Sequence, residues 1–190
     1  NFYQNWLNIV SKEFASPIAD GWRLYYEYDL MDSLYVGDDY CYRLDFFPKS
    51  PQDLAFTGSM WITKADYALK QIDATMGKQA NINFVEKIKI QQELAPAEGG
   101  AWLPVKNRVL IDVGELTNTS AGMLAKFYTS NKNLVVNKPY EPSFYKLPII
   151  MAEDARMNEQ EEFWDSLRHE PLTDTEKNVY KMIDTLQTIP

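Results

Sequence analysis

The sequence predicts an α+β protein that is mainly antiparallel β, a curved meander or half-open barrel with one N-terminal helix and two C-terminal helices. Three observations carry that expectation. Apolar residues recur at every second position in run after run between residues 22 and 129, the period of strands with one buried face. The runs are separated by short stretches of Gly, Pro, Asp and Lys rather than by helical patterns, which favours hairpin-linked strands over βαβ units. On either side of them the period lengthens to that of a helix.

The first element rests on Phe2, Trp6, Val10 and Phe14, four apart with Leu7 beside them. Such a stripe predicts a helix up to Pro17, because the residue before a proline is pushed out of the α region. From Trp22 the period becomes two: Trp22, Leu24, Tyr26, Tyr28 and Leu30 face one way, Arg23, Glu27 and Asp29 the other. Tyr40, Tyr42, Leu44 and Phe46 repeat the pattern opposite Cys41, Arg43 and Asp45, and the link between the two runs holds Gly37-Asp38-Asp39, a turn sequence. Further strands are expected within 56–63, 67–76, 82–94, 101–113 and 122–129. Half of the aromatic residues fall in the first 47 positions, so the opening helix and the first hairpin are expected to share a core.

Beyond residue 137 a Pro-containing loop leads to an expected helix from Asn158 to His169, with acids in its first turn and Arg168 and His169 in its last. Pro171 ends it. Thr173 and Glu176 have the spacing of a capping box, and Val179, Ile183 and Leu186 then lie along one face of a second helix. The organisation expected is a helix plus meander over 1–137, with the loop and helices of 138–190 packed on the same single domain.

Composition narrows the function classes. An apolar fraction of 45% with 14% aromatics excludes a disordered chain. The formal net charge of −8 argues against a nucleic-acid surface, which needs clustered Lys and Arg. Residues 153–176 hold nine acidic groups and two basic ones, so most of that charge sits in one short segment. The apolar run LPIIMA at 147–152 is too short to span a bilayer, and no signal-peptide pattern opens the chain. Its opening residues read as the interior of a longer protein.

Residue chemistry offers few reactive constellations. One cysteine and one histidine cannot complete a tetrahedral zinc site, and no metal or cofactor is expected. His169 lies between Arg168 and Glu170, but successive helical side chains point about 100° apart and do not converge on one atom. Cys41 sits in an alternating strand with Arg43 as its only local cation, a setting for a packed thiol rather than a nucleophile. The glycines spell neither a dinucleotide fingerprint, a phosphate loop nor a nucleophile elbow. Asp38 and Asp39 fall short of a calcium ligand set. Glu27 and Asp45 form the one carboxylate pair in reach of glycoside or peptide hydrolysis, and alternation places both on a solvated face.

The apolar stripe is different in kind. Trp22, Tyr26, Tyr28, Tyr42, Phe46, Met60, Ile62, Phe84 and Ile88 share a face if neighbouring strands pair as their alternation implies. Most such stripes are core; on a curved sheet that closes incompletely, the same residues are candidates for holding an apolar ligand or peptide.

Five stretches taken together carry a family resemblance: FASPIAD (14–20), DDYCYRLDFFPK (38–49), FTGSMWIT (56–63), ANINFV (80–85) and FWDSLRHEPLTDTE (163–176). In content and order they resemble the central region of large Bacteroidota outer-membrane proteins that carry a domain of unknown function (5686). The resemblance implies a signal peptide, a small carboxypeptidase-regulatory-like module ahead of this region, and a C-terminal membrane β-barrel after it. The chain would then be a periplasmic segment of an outer-membrane protein. No catalytic residues come with the family. At the level of fold, a meander entered by a helix is also similar to the half-open barrels of the LolA-like periplasmic lipoprotein carriers, which hold acyl chains on a concave apolar face.

The function expected is accordingly non-enzymatic: a scaffold or binding domain whose partners are the membrane barrel and the N-terminal module of its own full-length chain. A lipid, lipoprotein or peptide on the apolar face would be a further partner, and nucleic acid would not. The alternative is a hydrolase working through acidic residues.

Overall fold

The computed structural model describes residues 1–80, 82, 84–114, 122–146, 168 and 171–187. The chain divides into two compact units, Asn1–Asn137 and Lys138–Pro190.

The N-terminus departs from the expected helix. It forms a hairpin of β1 (Trp6–Ile9) and β2 (Lys12–Ala15), paired antiparallel from Trp6↔Ala15 to Ile9↔Lys12. The two-residue turn is Val10-Ser11, both in the left-handed region at φ 50° and 60°. Neither residue favours that region, and each costs about 1–2 kcal/mol there. What outweighs this is burial of Phe2, Leu7 and Phe14, each contributing about 1.5–3 kcal/mol on leaving water. A helix would have turned Trp6 and Val10 inward with them; in the hairpin both are exposed. The turn strain is removable: Val10→Asn with Ser11→Gly, the pair this turn prefers, is expected to raise unfolding stability by about 1 kcal/mol or more in a urea titration.

Trp22–Tyr25, expected as the start of a strand, is a single helical turn, α1. It ends where Tyr26 goes extended, and a seven-stranded antiparallel meander begins. Its strands are β3 (Tyr26–Val36), β4 (Asp39–Pro48), β5 (Thr57–Thr63), β6 (Leu69–Gly77), β7 (Val85–Pro96), β8 (Trp102–Val113) and β9 (Met123–Ser130). Each pairs with the next, in the order β3-β4-β5-β6-β7-β8-β9, so the sheet is open and not a closed barrel among the described residues. The β3–β4 turn is Gly37-Asp38, with Gly37 at φ 61°, as its sequence anticipates. Register shifts between Leu30 and Asp32, Trp61 and Ile62, Val85 and Lys87, and Glu93 and Leu94 mark bulges, which bend and twist the strands that carry them.

One face of the sheet is apolar and covered. Tyr26, Phe46, Met60, Ile72, Ala74, Met76, Ile88 and Ile90 line it, and β1–β2, the 54–56 segment, Ala80 and Ile82 pack against it. Polar groups tie this cover down. Tyr26 Oη donates to the Ala15 carbonyl at 2.7 Å and accepts from the Phe56 N–H at 3.0 Å, joining three segments at one buried hydroxyl. Buried Gln92 accepts from the Phe2 N–H at 3.4 Å and donates to Asn107 Oδ1 at 2.6 Å, while Ser16 Oγ donates to the Phe2 carbonyl at 2.6 Å. The expected sharing of a core between the N-terminus and the first hairpin is met by a different secondary structure.

Burial pushes the phenols of Tyr26 and Tyr28 well above the ordinary value near 10. In the unfolded chain these groups lose their protons around pH 10, while the folded chain holds them, so the folded state binds more protons at alkaline pH. Stability is therefore fully present below pH 10 and falls as pH rises beyond it. Unfolding midpoints measured from neutral to strongly alkaline pH are expected to show this decline, and Tyr28→Phe is expected to make it shallower.

In the second unit, Tyr140 stacks on Phe144 at 4.4 Å. The helix expected after Pro171 is present as α2 (Asp174–Gln187). Its capping box is made: the Thr173 N–H donates to Glu176 Oε2 at 2.8 Å and the Glu176 N–H to Thr173 Oγ1 at 3.4 Å. The helix expected over Asn158–His169 lies outside the described residues, apart from Arg168, whose guanidinium sits 5.8 Å over the Tyr180 ring. No described helix is long and apolar enough to cross a membrane, which says nothing of strands.

Candidate functional site

The nine residues of the apolar stripe separate into three groups. Tyr26, Phe46, Met60 and Ile88 are fully or almost fully buried beneath the N-terminal cover and act as core. Trp22, Tyr28, Tyr42 and Ile62 are half-buried on the same side of the molecule. Tyr28↔Phe46, Tyr42↔Ile62 and Leu44↔Met60 are direct cross-strand pairs, which is why alternation in the sequence placed them together. Trp22, on α1, meets Tyr28 edge-to-face at 4.8 Å, and Tyr28 Oη donates to the Pro17 carbonyl. Phe84 stands apart. It lies outside the strands at φ 65° and is 59% exposed.

The apolar face continues past the part that is covered. Ile88↔Ile111 and Ile90↔Val109 carry it from β7 to β8, and Val109↔Phe127 and Ile111↔Ala125 carry it to β9. Along this path burial falls away: Ile88 and Ile90 are buried, Val109 and Ile111 half-buried, and Phe127 is 58% exposed. Met123, which also faces this side, is 60% exposed. A cavity of about 260 Å³ lies at the opposite end of β8–β9 from Met123, lined in part by Pro96, Val105, Asn131 and Leu134, and includes neither Met123 nor Phe127. The exposure of Met123 and Phe127 escaped the sequence reading. The signal was present in GMLAKFYT, where Met123, Ala125 and Phe127 alternate not with polar residues alone but with Leu124, Lys126 and Tyr128. A strand apolar on both faces is one that expects cover on both.

The opposite, solvated face is segregated by charge. On β3–β6 it carries Glu27, Asp29, Asp32, Asp39, Asp45 and Asp73, with Arg43 and the Lys70 partner of Asp39 as counter-charges. Arg43 grips Asp45 through two hydrogen bonds of 3.0 and 3.2 Å, and Ser59 Oγ adds a third to Asp45 at 2.7 Å. Asp73 Oδ2 accepts from Gln91 at 3.0 Å, while its Oδ1 is buried with no hydrogen-bond partner. On β7–β9 the sign reverses to Lys87, Lys89, Lys106, Arg108 and Lys126 against Glu93 and Asp112. The Arg108 guanidinium lies 5.2 Å over the Tyr128 ring.

The residues considered for catalysis fall as follows. Asp45 is ion-paired to Arg43, whereas Glu27 is exposed and faces Phe47 rather than a second acid. Cys41 is fully buried opposite Thr63, and burial, then the Asp39 carboxylate, push its thiol above the ordinary range, the reverse of what a thiolate nucleophile requires. Asp39 is held by Lys70 at 2.7 Å. Among the described residues no three His, Cys, Asp or Glu side chains gather as a metal-ligand set. His169 lies outside the described residues.

An open antiparallel meander, covered on β3–β7 by its own N-terminus and with Met123 and Phe127 of its last strand exposed, defines a single-faced β-scaffold. Residues 1–131 match the family model described as "Family of unknown function (DUF5686)", and the chain belongs to that family. No curated protein and no solved structure matches it.

Proposed function

We propose that the chain is a non-enzymatic scaffold or binding domain in the periplasmic part of an outer-membrane protein, a half-open barrel that accepts an apolar partner at the β8–β9 end of its sheet. The observation that carries the reading is the run of the inner apolar face out of its cover, from buried Ile90 through half-buried Val109 to exposed Phe127. Soluble domains bury such a surface unless it is used, and a patch continuous with the core is a place for a lipid chain or an apolar peptide. The β3–β7 part of the face, where Tyr26, Phe46, Met60 and Ile88 lie, is occupied by Phe2, Leu7, Phe14 and Phe56. A ligand is therefore assigned to the β9 end. The periplasmic setting and the flanking regulatory-like module and membrane barrel rest on the resemblance of the sequence motifs.

The test is binding of a fluorescent fatty acid to the purified domain, together with native mass spectrometry for co-purified lipid. Phe127→Asp is expected to weaken binding by about tenfold or more while leaving the unfolding free energy within about 0.5 kcal/mol, as for an exposed position. Absence of binding by the parent protein, or undiminished binding by the variant, would reject the β9 end as the site. Protection of the domain from added protease until the outer membrane is permeabilised is the expected result for its location.

A further inference from the structure

We infer that the outer edge of β3, from Asp32 to Val36, is a docking site for a partner polypeptide whose segment is extended and alternates basic with apolar residues. The inference goes beyond the binding reading above and does not depend on it, since β3 and β9 stand at opposite ends of the strand order. β3 and the segments flanking it are described throughout, and among the described residues β3 pairs on one side only, with β4. The direction of its backbone groups follows from the hairpin. Val36↔Asp39 closes the two-residue turn as a hydrogen-bonded pair, so by alternation Leu34↔Cys41 is another, while Tyr35↔Tyr40 and Ser33↔Tyr42 are not. The Tyr40 carbonyl accordingly turns to β5, where it accepts from the Lys64 N–H at 2.8 Å. Ser33 and Tyr35 therefore present their N–H and C=O groups away from the sheet. Of these four, only the Ser33 N–H has a partner among the described residues, donating to the Asp32 carboxylate at 2.6 Å.

The chemistry of the partner follows from the side chains along that edge. Glu27, Asp29 and Asp32 are exposed on the solvated face, where the two basic groups of β3–β6 are already taken, Arg43 by Asp45 and Lys70 by Asp39. On the inner side Leu30 and Tyr35 are 68% and 69% exposed, with Met31 and Leu34 exposed beside them. Exposed apolar groups on an edge with free backbone donors and acceptors are the mark of a contact surface. An added strand places its side chains alternately on the two sides. Apolar groups at every second position cover Tyr35 and Leu30, and basic groups between them answer Asp32 and Asp29. Asp32 is the plug of this edge: its carboxylate fills the Ser33 N–H, and a basic side chain of the incoming strand draws it away and frees that N–H for main-chain pairing. The bulge between Leu30 and Asp32 ends the regular stretch, so pairing is short and charge decides the choice of partner. A second copy of this chain is the poorer occupant, because β3 contains no Lys, Arg or His and would leave the carboxylates unanswered.

The experiment uses the 190-residue protein and three labelled synthetic peptides of about eight residues: alternating Lys and Val, alternating Glu and Val, and the first with a central proline. Fluorescence anisotropy is expected to give the Lys peptide an affinity about tenfold or more above the Glu peptide, with the difference shrinking at high salt. The proline peptide is expected to lose most binding; it keeps the basic charge, so it separates edge pairing from general attraction to a chain of net charge −8. Asp29→Lys with Asp32→Lys, both at exposed positions, is expected to cancel the preference without altering the circular dichroism. Amide exchange followed residue by residue by NMR is expected to slow at Ser33 and Tyr35 in the complex and to stay as it was at Leu34, whose N–H already pairs with β4. Equal binding of Lys and Glu peptides, indifference to proline, or unaltered exchange at Ser33 and Tyr35 would each overturn the inference, as would self-association that buries β3. Saturating peptide is expected to leave fatty-acid binding at the β9 end unchanged, and competition between the two ligands would remove the separate site.

Discussion

Phe56→Ala is expected to lower the unfolding free energy by about 3–5 kcal/mol, seen as a large drop in the urea midpoint with little change in slope. The magnitude comes from where this loop residue sits. Phe56 is fully buried, its ring meeting Phe2 edge-to-face at 5.8 Å and Phe14 at 5.5 Å, with Tyr26 Oη hydrogen-bonded to its N–H. The three phenylalanines belong to three segments: the strand-free N-terminus, β2, and the loop between β4 and β5. Truncating the central ring leaves a cavity that none of them can fill alone, because each is held by backbone bonds: Phe2 by Gln92 and Ser16, β2 by the Ala15 N–H to the Leu54 carbonyl at 3.1 Å. Collapse would have to break those bonds. The same geometry predicts coupling: Phe14→Ala and Phe56→Ala together are expected to cost less than the sum of the single changes, by about 0.5–1.5 kcal/mol for an aromatic pair in contact.

That cluster also shows where the sequence was legible and where it was not. The strands of the meander were readable because each has one dry and one wet face, and alternation records that difference residue by residue. Tyr26, Tyr28, Phe46, Met60 and Ile88 were correctly gathered onto one side for this reason. The N-terminus was misread because Phe2, Leu7 and Phe14 fit a helical stripe as well as they fit the face of a hairpin, and the turn that decides between them is Val-Ser, not a recognised turn pair. Tertiary burial chose the hairpin against local preference. Nor could alternation tell a core face from a binding face. What separates buried Ile88 from exposed Phe127 is cover supplied by segments far away in sequence, and no periodicity encodes how far that cover reaches. The solvated face was legible only as polar. Its division into an acidic part and a basic part appears once register places Asp29, Asp45 and Asp73 on β3–β6 and Lys89, Arg108 and Lys126 on β7–β9.

Gly58→Ala is expected to be the most damaging small substitution in the sheet, lowering stability by about 3 kcal/mol or more, at or above the usual range for overpacking. Gly58 lies in β5 between Phe46 of β4 and Ala74 of β6. A methyl group built on it would fall 1.9 Å from the Asp73 carbonyl oxygen and 3.0 Å from Cζ of Phe46. The first contact is with backbone, so no rotamer change relieves it; β5 and β6 would have to part, and with them the ladder through Ser59↔Asp73 and Met60↔Ile72. The second contact explains why the position is empty. The Phe46 ring lies across the space a side chain would take, so the glycine is the hole into which a fully buried aromatic fits. Gly77→Ala is the matched control, since a methyl there meets nothing within 4 Å, and it is expected to change stability by no more than about 0.5 kcal/mol. Parallel urea titrations of the two variants decide the point: equal midpoints would mean that β5 and β6 can separate freely, and a large gap would locate the rigid centre of the sheet at the Phe46–Gly58 pair.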